Sequence, residues 1–178
     1  MNEIDELLVS GIEFESRDEM ALFLQAVYET LEREGFLSND SIDPGGLTKW
    51  GISKKAYPKL DIRGLTKKDA IKIYYKDYWL KCRINELPNN LKGIMFDGAV
   101  NQGISRIVKI LQQTTNRKGG SLVVDGKIGR NTISQAIKYK PEPKRMRAYR
   151  VKFYCDLIAR KPELEKYFYG WFKRAVEV

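Results

Sequence analysis

Apolar residues recur at helical spacing over much of the chain. In the first such segment they fall at Met20, Phe23, Leu24, Val27 and Leu31, on one face of a 3.6-residue period. Ser16 and Glu19 form a capping-box pattern before the segment, and Gly35 supplies a stop. The pattern therefore predicts a helix over residues 17–34, with Glu34 at its end.

Turn-forming residues replace this pattern over residues 36–52. Asn39, Asp40 and the Asp-Pro-Gly-Gly run at 43–46 are typical of turns. Residues 47–52 are predicted as a short strand after the turn. The segment as a whole is expected to form a small, irregular β-hairpin lobe.

Helical patterns then resume and continue to the end of the chain. Thr66 and Asp69 can cap a helix, Pro88 suits the first turn of another, and Gly103 separates two more. The predicted helices span about 67–79, 88–102, 104–115, 131–139, 144–160 and 163–175, and the glycine-rich stretch from 116 to 129 is predicted as a loop. The fold class is mainly α with one small β element next to the first helix.

Charge is distributed unevenly over the 178 residues. The chain carries a net charge of +9, but residues 1–40 hold 11 acidic and 2 basic side chains. The basic remainder is expected to attract polyanions, such as a bacterial wall, an anionic membrane surface or nucleic acid. A solvated basic surface that aids solubility is the alternative.

The residues that are missing exclude several kinds of active site. The chain contains no histidine, which excludes Ser-His-Asp and Cys-His sites and most zinc hydrolase sites. Acid–base chemistry must then use carboxylates, lysines, tyrosines or a cysteine. Cys82 and Cys155 match neither a zinc spacing nor a disulfide scaffold; we interpret them as free core thiols and leave a pairing open. No metal or other cofactor is expected.

Two hydropathy patterns, those of a membrane-spanning helix and of a signal peptide, bear on where the protein is made and acts. The chain contains no run of 18 apolar residues, so no membrane-spanning helix is predicted. The acidic N-terminal segment lacks a signal-peptide pattern. We expect synthesis in a host cytoplasm, no stable membrane insertion, and action at the cell wall.

Glu34 and Asp43 are the pair that suggests chemistry. Glycosidic cleavage needs an acid to protonate the leaving oxygen and a carboxylate to activate water or stabilise the sugar cation. A glutamate near Phe36 and Trp50 would have a raised pKa because desolvation disfavours its charge, whereas an aspartate in a polar turn stays ionised. Thr48 can help to hold the water. The alternative is an exposed carboxylate beside a turn aspartate.

Four segments carry a family resemblance. REGFLSNDSIDPGGLTKWGIS, LTKKDAIKIYYKDYW, LPNNLKGIMFDGAVNQG and VVDGKIGRNTISQ resemble successive motifs of the glycoside hydrolase family 108 muramidases. The final stretch with its Gly-Trp-x-x-Arg ending resembles the peptidoglycan-associated region of that family. The resemblance covers about residues 20–175 and implies a lysozyme-like α+β domain.

The resemblance also implies roles for individual residues. The family's catalytic glutamate corresponds to Glu34, and the Glu, eight residues, Asp spacing is similar to that of phage-type lysozymes, in which the Asp and a Thr position water. Asp43 fits this spacing. Thr48 follows after four residues instead of five, and Phe36 stands where the family usually has Gly then Tyr. If Asp43 acts through water, the carboxylates should lie roughly 6.5–9.5 Å apart and the product should be inverted.

Other residues carry paired interpretations. Gly45, Gly46, Trp50 and Asn101 are assigned to substrate binding, although Trp50 can equally pack beneath the hairpin. Asp97 is interpreted as a buried, structurally bonded residue, and the aromatic run of Tyr74, Tyr75, Tyr78 and Trp79 mostly as core, as is Trp171. Gly98 and Gly103 are expected at close-packing or helix-end positions. Asp125, Gly126, Gly129 and Thr132 resemble a turn of peptidoglycan-binding segments, or form an ordinary turn with a helix cap.

These observations combine into one functional prediction with two alternatives. We expect a monomeric muramidase that cuts the β-1,4 bond between N-acetylmuramic acid and N-acetylglucosamine in peptidoglycan glycan strands, for phage-type lysis. Residues 1–19 form an acidic extension, 20–115 the catalytic region and 116–178 a helical peptidoglycan-associated region on the same domain. The alternatives are an inactive peptidoglycan-binding protein and a basic nucleic-acid binder, which lacks a recognised nucleic-acid motif.

Overall fold

The chain folds into two compact units, one ending at Leu80 and the other spanning Lys81–Val178. The computed structural model describes residues 9–34, 37–38 and 47–178, and at positions 33, 34, 37 and 38 it describes the backbone alone. The described part is mainly helical with one small antiparallel sheet. The predicted fold class is confirmed.

The first unit begins with the predicted helix, α1, which spans Arg17–Glu34. Ser16 Oγ accepts a hydrogen bond of 3.1 Å from the Glu19 amide, as a capping box requires. The return bond is displaced by one residue, because the Glu19 carboxylate accepts from the amide of Glu15 at 2.8 Å. The capping-box pattern therefore predicted the start of α1 correctly.

Three two-residue strands form the sheet. They are β1 (Leu37–Ser38), β2 (Thr48–Lys49) and β3 (Ile52–Ser53), paired antiparallel in the order β1-β2-β3. Lys49 pairs with Ile52, so only Trp50 and Gly51 connect β2 to β3. The prediction of one strand over 47–52 is wrong in this respect, because a two-residue turn reverses the chain in its middle.

The next helix, α2, spans Lys67–Tyr74 and carries the predicted capping box of Thr66 and Asp69. Its chain continues as a π-helical segment over Tyr75–Leu80. The aromatic run is mostly core, as predicted: Tyr74, Tyr75 and Trp79 are buried. Phe23 of α1 contacts both Tyr75 and Trp79, with ring centroids 5.1 and 5.3 Å away.

The second unit is built from helices alone in its regular structure. A 3-10 turn at Ile84–Glu86 precedes α3 (Asn89–Asn101), α4 (Ile104–Asn116), α5 (Arg130–Tyr139), α6 (Pro143–Arg160), a 3-10 segment at Pro162–Tyr167, and α7 (Phe168–Glu177). These bounds agree with the sequence-based helices, except that the last one begins as 3-10.

Two glycines fix how α3 and α4 meet. A Cβ on Gly98 would lie 2.5 Å from the Cδ1 of Ile107, which is far inside van der Waals contact, so α4 packs directly against the backbone of α3. Gly103 has φ +86 at the N-cap of α4, a conformation that favours glycine. Both predicted glycine roles are confirmed.

Both cysteines belong to the second unit and are free thiols. Cys82 is buried, and burial raises its pKa to about 12. Cys155 is exposed, so its prediction as a core thiol is wrong. The buried residues of α6 are Met146, Arg150 and Tyr154, four apart on one stripe, and residue 155 lies about 100° around the helix from that stripe.

Along the described ranges, the helices are all too short or too polar to cross a bilayer.

Candidate active site

Glu34 is the last residue of α1, at the carboxyl end of the helix. The structure describes the backbone of Glu34 but not its side chain. Asp43, Gly45 and Gly46 lie wholly outside the described residues. Their assignment to catalysis and substrate binding therefore stays a prediction, as does the separation of the two carboxylates.

Thr48 and Trp50 lie two residues apart on the hairpin. Thr48 belongs to β2, is half-buried, and pairs with Ser38 on one side and Ser53 on the other. Trp50 is the first residue of the turn, and its carbonyl accepts a 3.0 Å hydrogen bond from the hydroxyl of Tyr74. Since Tyr74 is fully buried in α2, this bond ties the hairpin turn to the core of the first unit.

The turn places an aromatic side chain where a small residue is usual. Trp50 has φ 54 and Gly51 has φ 74, and positive φ at both positions is the pattern of a type I′ hairpin turn. Asn, Asp and Gly favour such positions, whereas a bulky side chain is strained there. The sequence signal for this turn was therefore weak.

Trp50 borders a cavity of about 420 Å³, which we call the Trp50 cavity. Its lining residues are Tyr28, Leu31, Glu32, Trp50 and Lys67. Trp50 itself is half-buried, so protein covers part of the residue while another part borders the cavity. Tyr28, Glu32 and Lys67 were not predicted from the sequence, because Lys67 is 35 residues from Glu32 and no local pattern joins them.

The Trp50 cavity adjoins the last turns of α1. Tyr28 and Leu31 are three residues apart and lie on neighbouring positions of the helix surface, and position 34 is three residues beyond Leu31. The predicted acid thus stands on the same helix, one turn from a cavity-lining residue.

A buried carboxylate elsewhere in the first unit has a structural role. Glu19 is 4% exposed, and its Oε1 accepts hydrogen bonds from Trp79 Nε1 at 2.9 Å and from the Tyr75 hydroxyl at 3.2 Å. Burial, followed by the charge of Glu19, raises the pKa of Tyr75. Every oxygen of Glu19 is therefore engaged with protein donors, as a buried charge requires.

In the second unit, Asp97 bridges two arginines. It accepts from Arg150 Nη2 and, at 2.8 Å, from Arg174 Nε, and Arg150 is fully buried. This confirms the structural interpretation of Asp97.

Asn101 lies one turn beyond Asp97 on α3. Its Oδ1 accepts a hydrogen bond from the Tyr154 hydroxyl, and burial raises the pKa of Tyr154. Tyr154 stacks on Trp171 at 4.9 Å, and Trp171 is half-buried. Substrate binding by Asn101 stays a prediction.

The Asp125 turn is held by one amide side chain of α4. Asp125 Oδ1 accepts from Gln112 Nε2 at 2.8 Å and from the Lys127 amide at 2.9 Å, and Gln112 Oε1 accepts from the Gly126 amide. The Lys127 amide and then Gln112 hold the pKa of Asp125 below its ordinary value. Gly126 has φ +78, and a Cβ there would lie 2.4 Å from Ser105 Oγ. The backbone conformation and the close contact in this turn therefore both require glycine.

Comparison with known proteins joins these observations to a family. Residues 27–103 match the model of glycosyl hydrolase 108, which includes the last turns of α1, the hairpin and the Trp50 cavity. Residues 106–176 match the model of a predicted peptidoglycan domain. Over residues 27–103 the chain is similar to the family 108 glycosyl hydrolases.

A solved structure is similar to the chain over most of its length. The structure of Brucella abortus SagA has a TM-score of 0.71 and 26% sequence identity, and the match covers 88% of this chain and 90% of that one. No curated protein matches the chain. The enzyme is thus a lysozyme-like glycoside hydrolase whose substrate class is peptidoglycan.

The chemistry of this glycoside hydrolase must be carried by side chains other than histidine, which the sequence lacks. Over the ranges described, no three Asp, Glu or Cys side chains come close enough together to hold a metal ion. The carboxylate pair of Glu34 and Asp43 remains the candidate for acid–base work.

Proposed function

We propose that this enzyme is a muramidase, which hydrolyses the β-1,4 bond between N-acetylmuramic acid and N-acetylglucosamine. Glu34 is the general acid that protonates the leaving oxygen. The supporting observation is its position: Glu34 ends α1 inside the residues that match the hydrolase family, one turn beyond Leu31 of the Trp50 cavity. A cavity beside this end of α1 supports placing the substrate, and with it the acid, at this part of the first unit.

Asp43 and Thr48 are proposed to hold the attacking water. The neighbouring hairpin supports this for Thr48, which lies two residues before the cavity-lining Trp50. A water-mediated attack inverts the anomeric centre. Proton NMR of the first products should therefore show the α-anomer from the β-linked strand, and an initial β-anomer would contradict the role given to Asp43.

Glu34→Gln tests the general acid. Purified peptidoglycan is digested and the fragments are analysed by mass, with new reducing ends at muramic acid expected for the parent. The substitution should lower the rate by about 10²–10⁴-fold, since that is what general acid catalysis contributes, while binding to the wall persists. Persisting binding with lost cleavage distinguishes an enzyme from an inactive wall-binding protein.

Glu29→Gln is the matched control on the same helix. Glu29 lies outside the Trp50 cavity, and its carboxylate accepts a 3.2 Å hydrogen bond from the exposed side chain of Gln25. The cleavage rate of Glu29→Gln should therefore stay within about twofold of the parent's. Undiminished cleavage by Glu34→Gln, or fragments cut in the peptide cross-links, would contradict the proposal.

We further propose that the enzyme acts as a monomer in phage-type lysis, accumulating in the host cytoplasm before it reaches the wall. A wall substrate and a peptidoglycan domain on one chain suit the release of contents through that wall. Fractionating cells before lysis should find the protein in the cytoplasm, and finding it in the wall fraction from the start of synthesis would contradict this route.

A further inference from the structure

Trp50 occupies a backbone position that disfavours it. Its φ of 54 in a two-residue hairpin turn suits Asn or Gly, and Gly51 already occupies the second position. Strained residues of this kind persist where the surrounding structure over-determines them and where the side chain has a use. The bond from Tyr74 to the Trp50 carbonyl fixes the turn, and the side chain lines the Trp50 cavity.

The Trp50 cavity combines aromatic and apolar side chains with one lysine and one glutamate. Tyr28 supplies a second half-buried aromatic ring, and Lys67 Nζ lies 4.7 Å from the centroid of that ring. Cation–π contact keeps a lysine head near the ring while leaving its other faces available to a ligand anion. Leu31 adds apolar surface and Glu32 a second, exposed polar group. Few polar groups on a mostly apolar and aromatic wall are typical of a small-molecule site.

We propose that the Trp50 cavity is the subsite for the N-acetylmuramoyl residue, and that Lys67 recognises the carboxylate which this sugar carries on its lactyl side group or on the attached stem peptide. This inference rests on the proposed muramidase function. Trp50 and Tyr28 provide apolar faces for the pyranose ring. Glu32 accepts from neutral sugar hydroxyl or acetamido N–H donors.

The charge of Lys67 makes the cavity selective between the two wall sugars. N-acetylglucosamine carries no carboxylate, so a lysine gains nothing specific from it. A muramoyl residue brings an anion to a partly desolvated cation, where an ion pair is worth more than at an open surface. Lys67 is therefore a specificity-determining residue, and its contribution should depend on the ligand's charge.

The test measures binding in the Glu34→Gln background, where ligands are not cleaved. Three probes are used: glycan strands stripped of peptides, which expose the lactyl carboxylate; peptide-bearing strands; and a neutral N-acetylglucosamine hexamer. Lys67→Met keeps the apolar stem and removes the charge, Lys67→Arg keeps the charge, and Lys68→Met is the control. Lys68 is the next residue of α2, and its Nζ donates to Ser10 Oγ outside the cavity.

Lys67→Met should weaken binding of muramoyl strands about tenfold, the scale of one partly buried ion pair, and leave the neutral hexamer unchanged. Lys67→Arg and Lys68→Met should bind like the parent. A loss on stripped strands identifies the lactyl carboxylate and a loss confined to peptide-bearing strands identifies the stem peptide; both support the proposal. Unchanged binding of both strands, or an equal loss with Lys68→Met, overturns it.

Trp50→Asn tests the aromatic platform. It should weaken all three probes, including the neutral hexamer, while the urea midpoint stays level or rises because Asn suits a positive φ. A lower midpoint with unchanged binding would make Trp50 a packing residue and overturn its part in the subsite. Muramidase activity is scored separately, by comparing the parent with Glu34→Gln. If Glu34→Gln cleaves normally the proposed function fails, whereas if only the Lys67 results fail the muramidase function stands.

Discussion

Single residues in this molecule differ sharply in how much the structure depends on them. Asp97 is 2% exposed and joins Arg150 and Arg174, which come from the two last long helices of the second unit. One carboxylate therefore neutralises two guanidinium groups, one of them fully buried. Removing it would leave positive charges in a poorly hydrated place, which is far more costly than losing a surface pair.

Asp97→Asn should lower the free energy of unfolding by about 3–5 kcal/mol, the range for breaking a buried pair by removing one partner. Urea denaturation followed by circular dichroism measures this. Asp156→Asn is the control, because its pair with Lys152 is exposed and should contribute about 0.5 kcal/mol or less. A loss below about 1 kcal/mol at Asp97 would show that the arginines find other partners.

At the scale of elements, α3 combines two glycines in opposite situations. Gly98 faces Ile107 of α4 so closely that a Cβ would overlap it, whereas a Cβ at Gly93 would meet nothing within 4 Å. The same substitution in one helix therefore probes packing at one position and helix propensity at the other.

Gly98→Ala should destabilise the protein by about 1–3 kcal/mol through overpacking. Gly93→Ala should stabilise it by about 0.5–1 kcal/mol, because alanine orders the helix at lower entropic cost. Thermal and urea unfolding of both variants give the comparison. Equal shifts of the same sign would mean that α4 moves away from α3 at little cost.

The elements themselves were largely predictable from local patterns. Capping residues and apolar spacing predicted α1 and α2 to begin at 17 and 67, where they do begin. The switch to π-helix at Tyr75 was not predictable, since the aromatic run fits an α-helical period and carries no separate signal for a π-helix. The reversal at Trp50 was missed because a tryptophan carries no turn signal, and tertiary contacts hold it there.

At the scale of the whole chain, sequence and structure contributed to the site in different ways. A motif predicted Glu34, Asp43 and Thr48, because the family resemblance is local. The Trp50 cavity depends on Tyr28, Trp50 and Lys67, which are up to 39 positions apart, and no pattern in one sequence joins residues across that distance. The domain boundary predicted between residues 115 and 116 stays a prediction.

The net charge of +9 leads to a prediction for the intact enzyme. Binding of Glu34→Gln to purified anionic wall should weaken steeply as salt rises from about 0.05 to 0.5 M, because screening shortens the reach of surface charges to a few ångströms. Binding to the neutral hexamer should change little. A sedimentation assay measures both, and salt-independent wall binding would mean that contacts other than charge dominate.

The two thiols of the second unit offer a practical consequence. Cys82 is inaccessible and resists ionisation, while Cys155 is open to solvent on α6. A maleimide fluorophore added to the native protein should attach at one defined position without any engineered residue. The labelled enzyme is therefore suited to single-molecule imaging on isolated sacculi, which would measure its residence time and its movement along the peptidoglycan.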